Sequence, residues 1–276
     1  MYLLGFNKSY MSTMKSNNNT IYFEEHGQGH PLVLIAGLAS DSQSWLPLIP
    51  VLAGHFRVIT FDNRGIGRSS PDNTDISIED MADDCARLIK HLDLPSANVL
   101  GHSMGGMIAM DLAARYPEMV GKLILLATTP KINRRNIELF NDLVCSLKSG
   151  MDRHLWFRNL FYWILSPSFF EDKEMLEQAV KMAIDYPYPQ SDISFENQVR
   201  AISKFNSISG ISGIQSPTLI VNGENDILFP FSETAGLFKN LSRSQTITIT
   251  KSAHSIPIEN PKGLSKSVIG FLTSNL

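Results

Sequence analysis

Short apolar runs and amphipathic stretches alternate along most of the chain, and this alternation predicts its secondary structure. Continuous apolar runs are typical of strands that are buried on both faces of a parallel sheet. The runs that we predict to be strands are Pro31–Gly37, Phe56–Asp62, Ala97–His102, Lys122–Thr128, Thr218–Gly223 and Thr246–Lys251. A further run, Thr20–Glu25, alternates apolar and polar residues behind the turn-forming Ser16–Asn19, which favours one arm of a hairpin.

Amphipathic patterns separate these runs. In Ser77–Leu92 the apolar residues recur at spacings of three and four, which marks one face of a helix. Ser77 and Asp80 have the spacing of an N-terminal capping box. A second helix is predicted over Met104–Tyr116, where Pro117 ends it. Strands that alternate with helices favour βαβ units, so we predict an α/β fold whose mostly parallel central sheet has helices on both faces.

The alternation stops between Lys131 and Phe205, where the pattern is helical throughout. A helical block between two strands of one sheet predicts a cap over that sheet. We therefore expect a core domain formed by residues 1–130 and 206–276, and a helical cap inserted at residues 131–205.

Composition narrows the class of protein. The 276 residues, 43% of them hydrophobic, suffice for one large domain or a domain with an insertion. The formal net charge is −3 and no basic run occurs, so neither a nucleic-acid partner nor an anionic membrane is indicated. Cys85 and Cys145 lie in helical stretches without C-x-x-C spacing. We expect free core thiols in a reducing compartment rather than a disulfide scaffold or a zinc site.

Membrane and targeting segments are not predicted either. No apolar run reaches the roughly eighteen residues that a membrane span needs. The segment Met1–Lys15 has no basic residue ahead of its apolar patch and no small-residue cleavage site. We interpret it as a tail rather than a signal peptide, and expect a cytoplasmic protein.

One serine stands where an apolar strand passes into an amphipathic helix. Ser103 lies between Gly101 and Gly105, and glycines remove the side chains that would clash at a sharp strand-to-helix turn. The helix that follows directs its unpaired N–H groups at the site, where negative charge develops during acyl transfer. This context favours a nucleophile elbow over a glycine-rich turn with an incidental serine.

Five segments of the chain resemble the α/β-hydrolase family and occur in the order that the family has them. They are Leu32–Gly37 followed by Trp45, Phe61–Ser70, Gly101–Gly106, Asn222–Pro230 and Ala253–Pro261. The resemblance covers nearly all of the chain and implies the α/β-hydrolase fold. Asp62, at the start of the second segment, has a structural role in the family and is not part of the predicted site.

The family has its acid and its histidine after the serine in the chain. Of the seven histidines, only His254 follows the last strand-like run and precedes a helix that begins near Pro261. A base in that loop could reach back to the serine. For the acid, Glu224 competes with Asp226, and the resemblance implies Asp226. Some relatives place the acid after the strand that follows the nucleophile helix, but Ala127–Pro130 contains no carboxylate.

These residues imply a catalytic triad with defined roles. Ser103 would attack a carbonyl carbon, His254 would take its proton, and Asp226 would hold the imidazole in the correct tautomer. For the oxyanion hole we expect the backbone N–H of Met104, and the resemblance adds the backbone N–H of Leu38. In the loop that contains Leu38, many relatives have histidine and glycine where this chain has Ala36 and Gly37. The donor is a backbone amide, so this difference leaves it in place.

An aromatic stretch in the predicted cap has two interpretations. Its rings either pack as the core face of the cap or line an apolar pocket over Ser103. The candidate pocket residues are Trp156, Phe157, Phe161, Tyr162 and Trp163.

The predicted function is that of a carboxylesterase-like serine hydrolase. It would cleave an ester of a small-to-medium, mostly apolar substrate through an acyl-enzyme intermediate. Hydrolysis of a C–C bond, an enol-lactone, an amide or a thioester on the same triad stays open, as does a non-catalytic ligand receptor with this fold. We expect no metal and no organic cofactor, a small-molecule ester-like substrate as the partner, and either a monomer or a homodimer.

Overall fold

One mixed sheet organises the computed structural model, which describes residues 10–70 and 75–274. Within these residues its strands are β1 (Tyr10–Ser16), β2 (Asn19–His26), β3 (Pro31–Ile35), β4 (Arg57–Phe61), β5 (Ala97–His102), β6 (Val120–Leu126), β7 (Thr218–Gly223) and β8 (Ser244–Ile249). Their order in the sheet is β1-β2-β4-β3-β5-β6-β7-β8. The pairs β1/β2 and β2/β4 are antiparallel, and all other neighbouring strands are parallel. This confirms the predicted mostly parallel sheet and the predicted hairpin.

The strands are apolar because the sheet is covered on both faces. In β3, Leu32 and Leu34 belong to one hydrophobic cluster, whereas Val33 and Ile35 belong to the cluster on the opposite face. Successive side chains of a strand point to opposite faces, so a strand between two cores must be apolar at every position.

Helices flank the strands along the chain. They are α1 (Ile49–Leu52), α2 (Ile78–His91), α3 (Met104–Arg115), α4 (Arg134–Lys148), α5 (Arg153–Ile164), α6 (Pro167–Phe170), α7 (Lys173–Ile184), α8 (Asp192–Lys204), α9 (Phe231–Thr234), α10 (Ile256–Glu259) and α11 (Pro261–Thr273). Helices α2 and α3 supply side chains to one cluster, and α1 and α11 to the other. The predicted capping box of Ser77 and Asp80 is present at the start of α2. Of the helices in the described residues, none has the length and hydrophobicity that crossing a membrane requires.

Helices α4 to α8 lie between β6 and β7 in the chain, and we call this segment the helical insertion. An isolated antiparallel bridge joins Lys131 to Asn206 where the chain leaves the sheet and returns to it. The helical content predicted for residues 131–205 is thus observed, and the division into core domain and cap stays a prediction.

Two expectations from the sequence are wrong. The interpretation of Met1–Lys15 as a tail fails for the residues from Tyr10 onward, which form β1 and pair with β2; residues 1–9 lie outside the described part. Of residues 11–16 in β1, only Met14 and Ser16 are buried, so this edge strand shows no apolar alternation. Both cysteines are free, but Cys145 is exposed on the outward face of α4 rather than in the core.

A buried ion pair joins α2 to the loop after β4. Arg64 Nε and Nη2 donate to the two carboxylate oxygens of Asp84, at 2.7 and 2.9 Å. Ser16 Oγ donates to the same carboxylate. The adjacent Asp83 instead pairs with Arg115 at 2.7 Å, where both side chains are about one-third exposed.

These neighbouring aspartates make a matched pair for a stability test. Asp84→Ala removes a buried carboxylate that accepts from both Arg64 and Ser16, so the free energy of unfolding is expected to fall by about 3–5 kcal/mol. Asp83→Ala, in the same helix, removes a solvated pair and is expected to cost about 1 kcal/mol or less. Urea denaturation measures both values, and an equal effect of the two substitutions would contradict the assignment.

Candidate active site

The turn that carries Ser103 between β5 and α3 leaves no room for side chains beside it. A Cβ on Gly101 would lie 2.1 Å from the Gly105 carbonyl oxygen, and a Cβ on Gly105 would lie 2.0 Å from the carbonyl oxygen of Ile35. Ser103 itself has φ +55° and ψ −119°, a backbone conformation that costs energy in a non-glycine residue. The surrounding backbone therefore holds the serine in a strained position at the carboxyl edge of the sheet.

Thr128, which the sequence analysis missed, supports this turn from β6. Its Oγ1 donates to the Ser103 carbonyl oxygen at 2.7 Å, and the Ser103 N–H donates to Leu126 O at 2.9 Å. A Cβ on Gly106 would lie about 2.5 Å from the Thr128 side chain, which explains the third glycine of the motif. Only the position of Thr128 at the end of the neighbouring strand could have indicated this role.

His254 and Asp226 form a buried hydrogen-bonded pair. His254 Nδ1 lies 2.9 Å from Asp226 Oδ2, and both residues are less than 5% exposed. The other carboxylate oxygen, Oδ1, accepts the backbone N–H groups of Leu228 and Phe229, each at 2.9 Å. The carboxylate is fixed by its own loop and faces the imidazole.

The charge state of the pair sets the histidine tautomer. Burial by itself raises the pKa of Asp226. The opposing effects are larger: the charge and hydrogen bond of His254 and the two backbone N–H groups bring the pKa below its usual range. An ionised carboxylate can only accept, so Nδ1 carries the proton and Nε2 of a neutral ring has a free lone pair. Glu224, the competing acid, accepts the Lys251 N–H at 2.9 Å instead.

His102 links the loop of His254 to the serine. Its Nε2 lies 2.9 Å from the His254 carbonyl oxygen, and the two rings are 5.0 Å apart. Burial and the neighbouring His254 lower the pKa of His102 to about 3, so the ring is neutral and its Nε2–H donates. Among the hydrogen bonds of the described residues, none joins Ser103 Oγ to His254. Catalytic hydrogen bonds are often long without substrate and tighten in the complex.

The two N–H groups expected to form the oxyanion hole make no hydrogen bond among those of the described residues. Met104 is the first residue of α3, so its N–H has no partner within the helix. Leu38 lies in the loop after β3, and a Cβ on the adjacent Gly37 would be only 3.1 Å from Ser103 Cβ. The loop thus passes directly beside the serine.

Asp62 braces this loop from β4. Its Oδ1 accepts the Ser42 N–H at 3.0 Å, and its Oδ2 accepts the N–H and Nε of Arg68 at 2.8 and 3.2 Å. These contacts agree with the structural role expected for Asp62.

A cavity of about 530 Å³ lies between the loop after β3 and the helical insertion. Trp156 and Phe157 line it from α5, and Ala39 and Ser40 line it from the loop. Trp156 Nε1 donates to the Leu143 carbonyl oxygen at 3.0 Å, which fixes the indole in the wall.

The other three aromatic candidates are not among the residues that line this cavity. The ring of Tyr162 is half exposed and stacks on Phe170. Trp163 has the guanidinium of Arg135 6.0 Å from its ring, and Phe161 packs next to Phe157. In the described residues, no group of three or more His, Cys, Asp or Glu side chains is arranged to hold a metal ion.

Comparison with known proteins identifies one matching family. The family profile described as the alpha/beta hydrolase fold matches residues 30–261. A protein of Rhizobium rhizogenes named "Putative carbamate hydrolase RutD" is 31% identical over 262 residues, which cover 91% of this chain and 97% of that protein.

Solved structures resemble the chain over nearly its whole length. The enol-lactonase from Burkholderia xenovorans LB400 has a TM-score of 0.86 at 21% identity, covering 95% of this chain and 100% of that chain. A thermophilic esterase from Thermogutta terrifontis has a TM-score of 0.83 at 24% identity, covering 96% and 98%. At these identities the likeness concerns the fold.

The close backbone packing at the turn gives a stability prediction. Gly105→Ala places a Cβ against the Ile35 carbonyl oxygen and is expected to cost about 3 kcal/mol or more. Gly270→Ala, in α11, meets nothing within 4 Å and is expected to stabilise the protein by up to about 1 kcal/mol. Thermal and urea unfolding test the difference. A Gly105→Ala variant as stable as the wild type would show that the packing is not tight.

The lowered pKa of Asp226 gives a pH-dependence prediction. The folded protein keeps this carboxylate ionised to lower pH than the unfolded chain, whose aspartates titrate near 3.9. The contribution of the charged group is therefore complete above about pH 5 and is lost as the pH falls below about 4. The difference in unfolding free energy between wild type and Asp226→Asn should shrink over that range. A difference that grows on acidification would contradict the lowered pKa.

Proposed function

The chain belongs to the α/β-hydrolase fold family of enzymes, and we propose that it is a serine hydrolase. Its proposed reaction is cleavage of a carboxylic ester of a small-to-medium, mostly apolar substrate through an acyl-enzyme intermediate. The observation that carries this proposal is the buried pair of His254 and Asp226. Because the carboxylate accepts the hydrogen bond from Nδ1, Nε2 is available as a base beside the strained turn of Ser103.

In the proposed mechanism, Ser103 Oγ attacks the substrate carbonyl while His254 Nε2 takes its proton. Asp226 holds the ring in the tautomer that this transfer needs and stabilises the imidazolium. The imidazolium then protonates the leaving group, and the same base activates the water that hydrolyses the acyl-enzyme. The role of His254 is supported by the fixed Nδ1 proton, because a ring with its proton on Nε2 could not act as this base.

The oxyanion of each tetrahedral intermediate would be bound by the N–H groups of Met104 and Leu38. Their lack of other partners among the described hydrogen bonds supports this role, since such donors must be free before the charge develops. The bracing of the loop after β3 by Asp62 keeps Leu38 in place without its taking part in the chemistry.

We further propose that the helical insertion, residues 131–205, caps the site and shapes its specificity. The cavity is lined by Trp156 and Phe157 and, next to Leu38, by Ala39, but not by Ser103 or His254. Its aromatic walls support an apolar group on a substrate that extends from this cavity to the serine. Polar side chains of Asp41 and Tyr186, which hydrogen-bond to each other, lie in the same lining and make it suitable for a substrate with one polar end.

A carbamate is the second candidate substrate, because the relative from Rhizobium rhizogenes that is 31% identical bears the name of a carbamate hydrolase. Carbamate, ester, enol-lactone, thioester and vinylogous diketone substrates all present a carbonyl that passes through an oxyanion. The proposed triad alone does not distinguish them. A receptor without catalysis is the remaining alternative, and wild-type protein whose Ser103 is not labelled by a fluorophosphonate would favour it.

Turnover of a matched substrate panel tests the proposal. Chromogenic esters of increasing acyl length are compared with the corresponding carbamates, enol-lactones and thioesters. We expect the highest kcat/KM on a short-to-medium ester, and Ser103→Ala should lower kcat by about 10⁴-fold or more.

Ser244→Ala is the control, since this exposed serine begins β8 at the amino ends of the parallel strands, the edge of the sheet opposite the site. A higher kcat/KM on carbamates than on esters would identify a carbamate as the preferred substrate class. Turnover that survives Ser103→Ala, or no turnover of any substrate, would contradict a serine hydrolase.

A further inference from the structure

Hydrogen bonds tie the loop of His254 to the helical insertion on both sides of the histidine. The Ser255 N–H donates to the carbonyl oxygen of Ile164, the last residue of α5, at 2.9 Å. On the other side, the Ala253 N–H donates to Glu259 Oε2 at 2.7 Å. The second oxygen, Glu259 Oε1, accepts the N–H of Ser166 at 2.8 Å.

Glu259 therefore bridges two parts of the chain that are distant in sequence. It ends α10, the single turn that follows His254, so its side chain folds back over its own loop. One carboxylate oxygen accepts an N–H from the loop of His254, and the other accepts an N–H from the insertion at the start of α6. Backbone N–H groups bonded to a carboxylate make stronger hydrogen bonds than those bonded to a neutral acceptor. Ala253 and Ser166 are both 1% exposed, so little water competes for these donors.

We propose that Glu259 is a positioning residue that couples the helical insertion to the loop of His254. This inference rests on the proposed function, in which His254 is the base. While the Ser166 N–H is bonded to the Glu259 carboxylate, the backbone on both sides of His254 is fixed and the imidazole is aligned.

Ser166→Pro tests the bridge from the side of the insertion. Proline lacks the N–H that Glu259 accepts, and its ring carbon takes the place of that hydrogen and displaces the carboxylate oxygen. The backbone dihedral angles at this position already suit proline. Ser166 has φ −72°, and the preceding Leu165 is extended at φ −112° and ψ 149°. Ser166→Ala is the matched control, because it removes only the hydroxyl that bonds to Ser168 and keeps the N–H.

Glu259→Gln tests the bridge from the other side. An amide retains one acceptor oxygen and presents an NH₂ group to the second N–H, so at least one of the two bonds is lost. Its control is Glu224→Gln, whose carboxylate accepts the Lys251 N–H in the same region but does not bond to the insertion.

Two readouts separate positioning from general stability: the rate constant for inactivation by a fluorophosphonate, and kcat and KM on the best ester. Misplacing a reacting group by about 1 Å can cost about 10²-fold, so we expect Ser166→Pro and Glu259→Gln to lower both kcat and the inactivation rate by about 10- to 100-fold. KM should change less than about 3-fold, because the cavity walls are untouched. The double variant should be no slower than the slower single variant, since both remove the same link.

The outcomes distinguish this inference from the proposed function. Wild-type rates in Ser166→Pro, or equal losses in Ser166→Pro and Ser166→Ala, overturn the coupling while leaving the serine hydrolase in place. If Ser166→Pro does not fold, Glu259→Gln against Glu224→Gln decides by the same criteria. A wild-type protein whose Ser103 is not labelled by the fluorophosphonate overturns the proposed function, and this inference with it.

Discussion

No side chain fits between the backbones of Gly101 and Gly105, and the geometry around Ser103 follows from that contact. The first turn of α3 can pack onto β5 and against the end of β3 only because both positions lack a Cβ. Ser103 has a positive φ in this turn, and Met104, as the first residue of α3, has no partner for its N–H within the helix. A side chain at Gly101 would meet the backbone of α3, and one at Gly105 would meet the backbone at the end of β3.

The parallel sheet then brings the remaining groups to the same edge. The loops after β3, β5 and β7 all leave the carboxyl ends of neighbouring or nearby parallel strands, which places Leu38, Ser103 and Asp226 on one side of the sheet. The loop after β8 adds His254 to the same edge. Each of these loops is fixed by buried polar contacts, such as Asp62 beneath the first and Glu259 beside the last. The proposed chemistry therefore depends on backbone that the rest of the fold holds in place.

Much of this arrangement could be predicted from the sequence, because it depends on local patterns. Alternating residues marked β2, apolar runs marked the strands from β3 onward, and the spacing of Ser77 and Asp80 marked the start of α2. The order of family motifs pointed to His254 and Asp226, which the structure brings within hydrogen-bonding distance. Contacts between distant segments could not be predicted. Glu259 and Ser166 are 93 residues apart, and only the packing of the insertion brings them together.

The features of β1 and α5 that the sequence did not predict also have physical causes. Strand β1 lies at the edge of the sheet, and an edge strand can remain polar because only one of its faces is covered. The aromatic residues of α5 are alike in type but point in different directions. Residue type alone therefore could not distinguish Trp156 and Phe157 in the cavity wall from Tyr162 on the surface.

Direct trapping of the acyl-enzyme tests the central claim, that Ser103 is the nucleophile activated by His254 and Asp226. Acid quench during turnover of a slowly hydrolysed ester, followed by peptide mass spectrometry, locates the acyl group. We expect one acyl group per chain on the peptide that contains Ser103, and we expect it to form much more slowly in Asp226→Asn. Turnover without an acylated Ser103, or an acyl group on another residue, would contradict it.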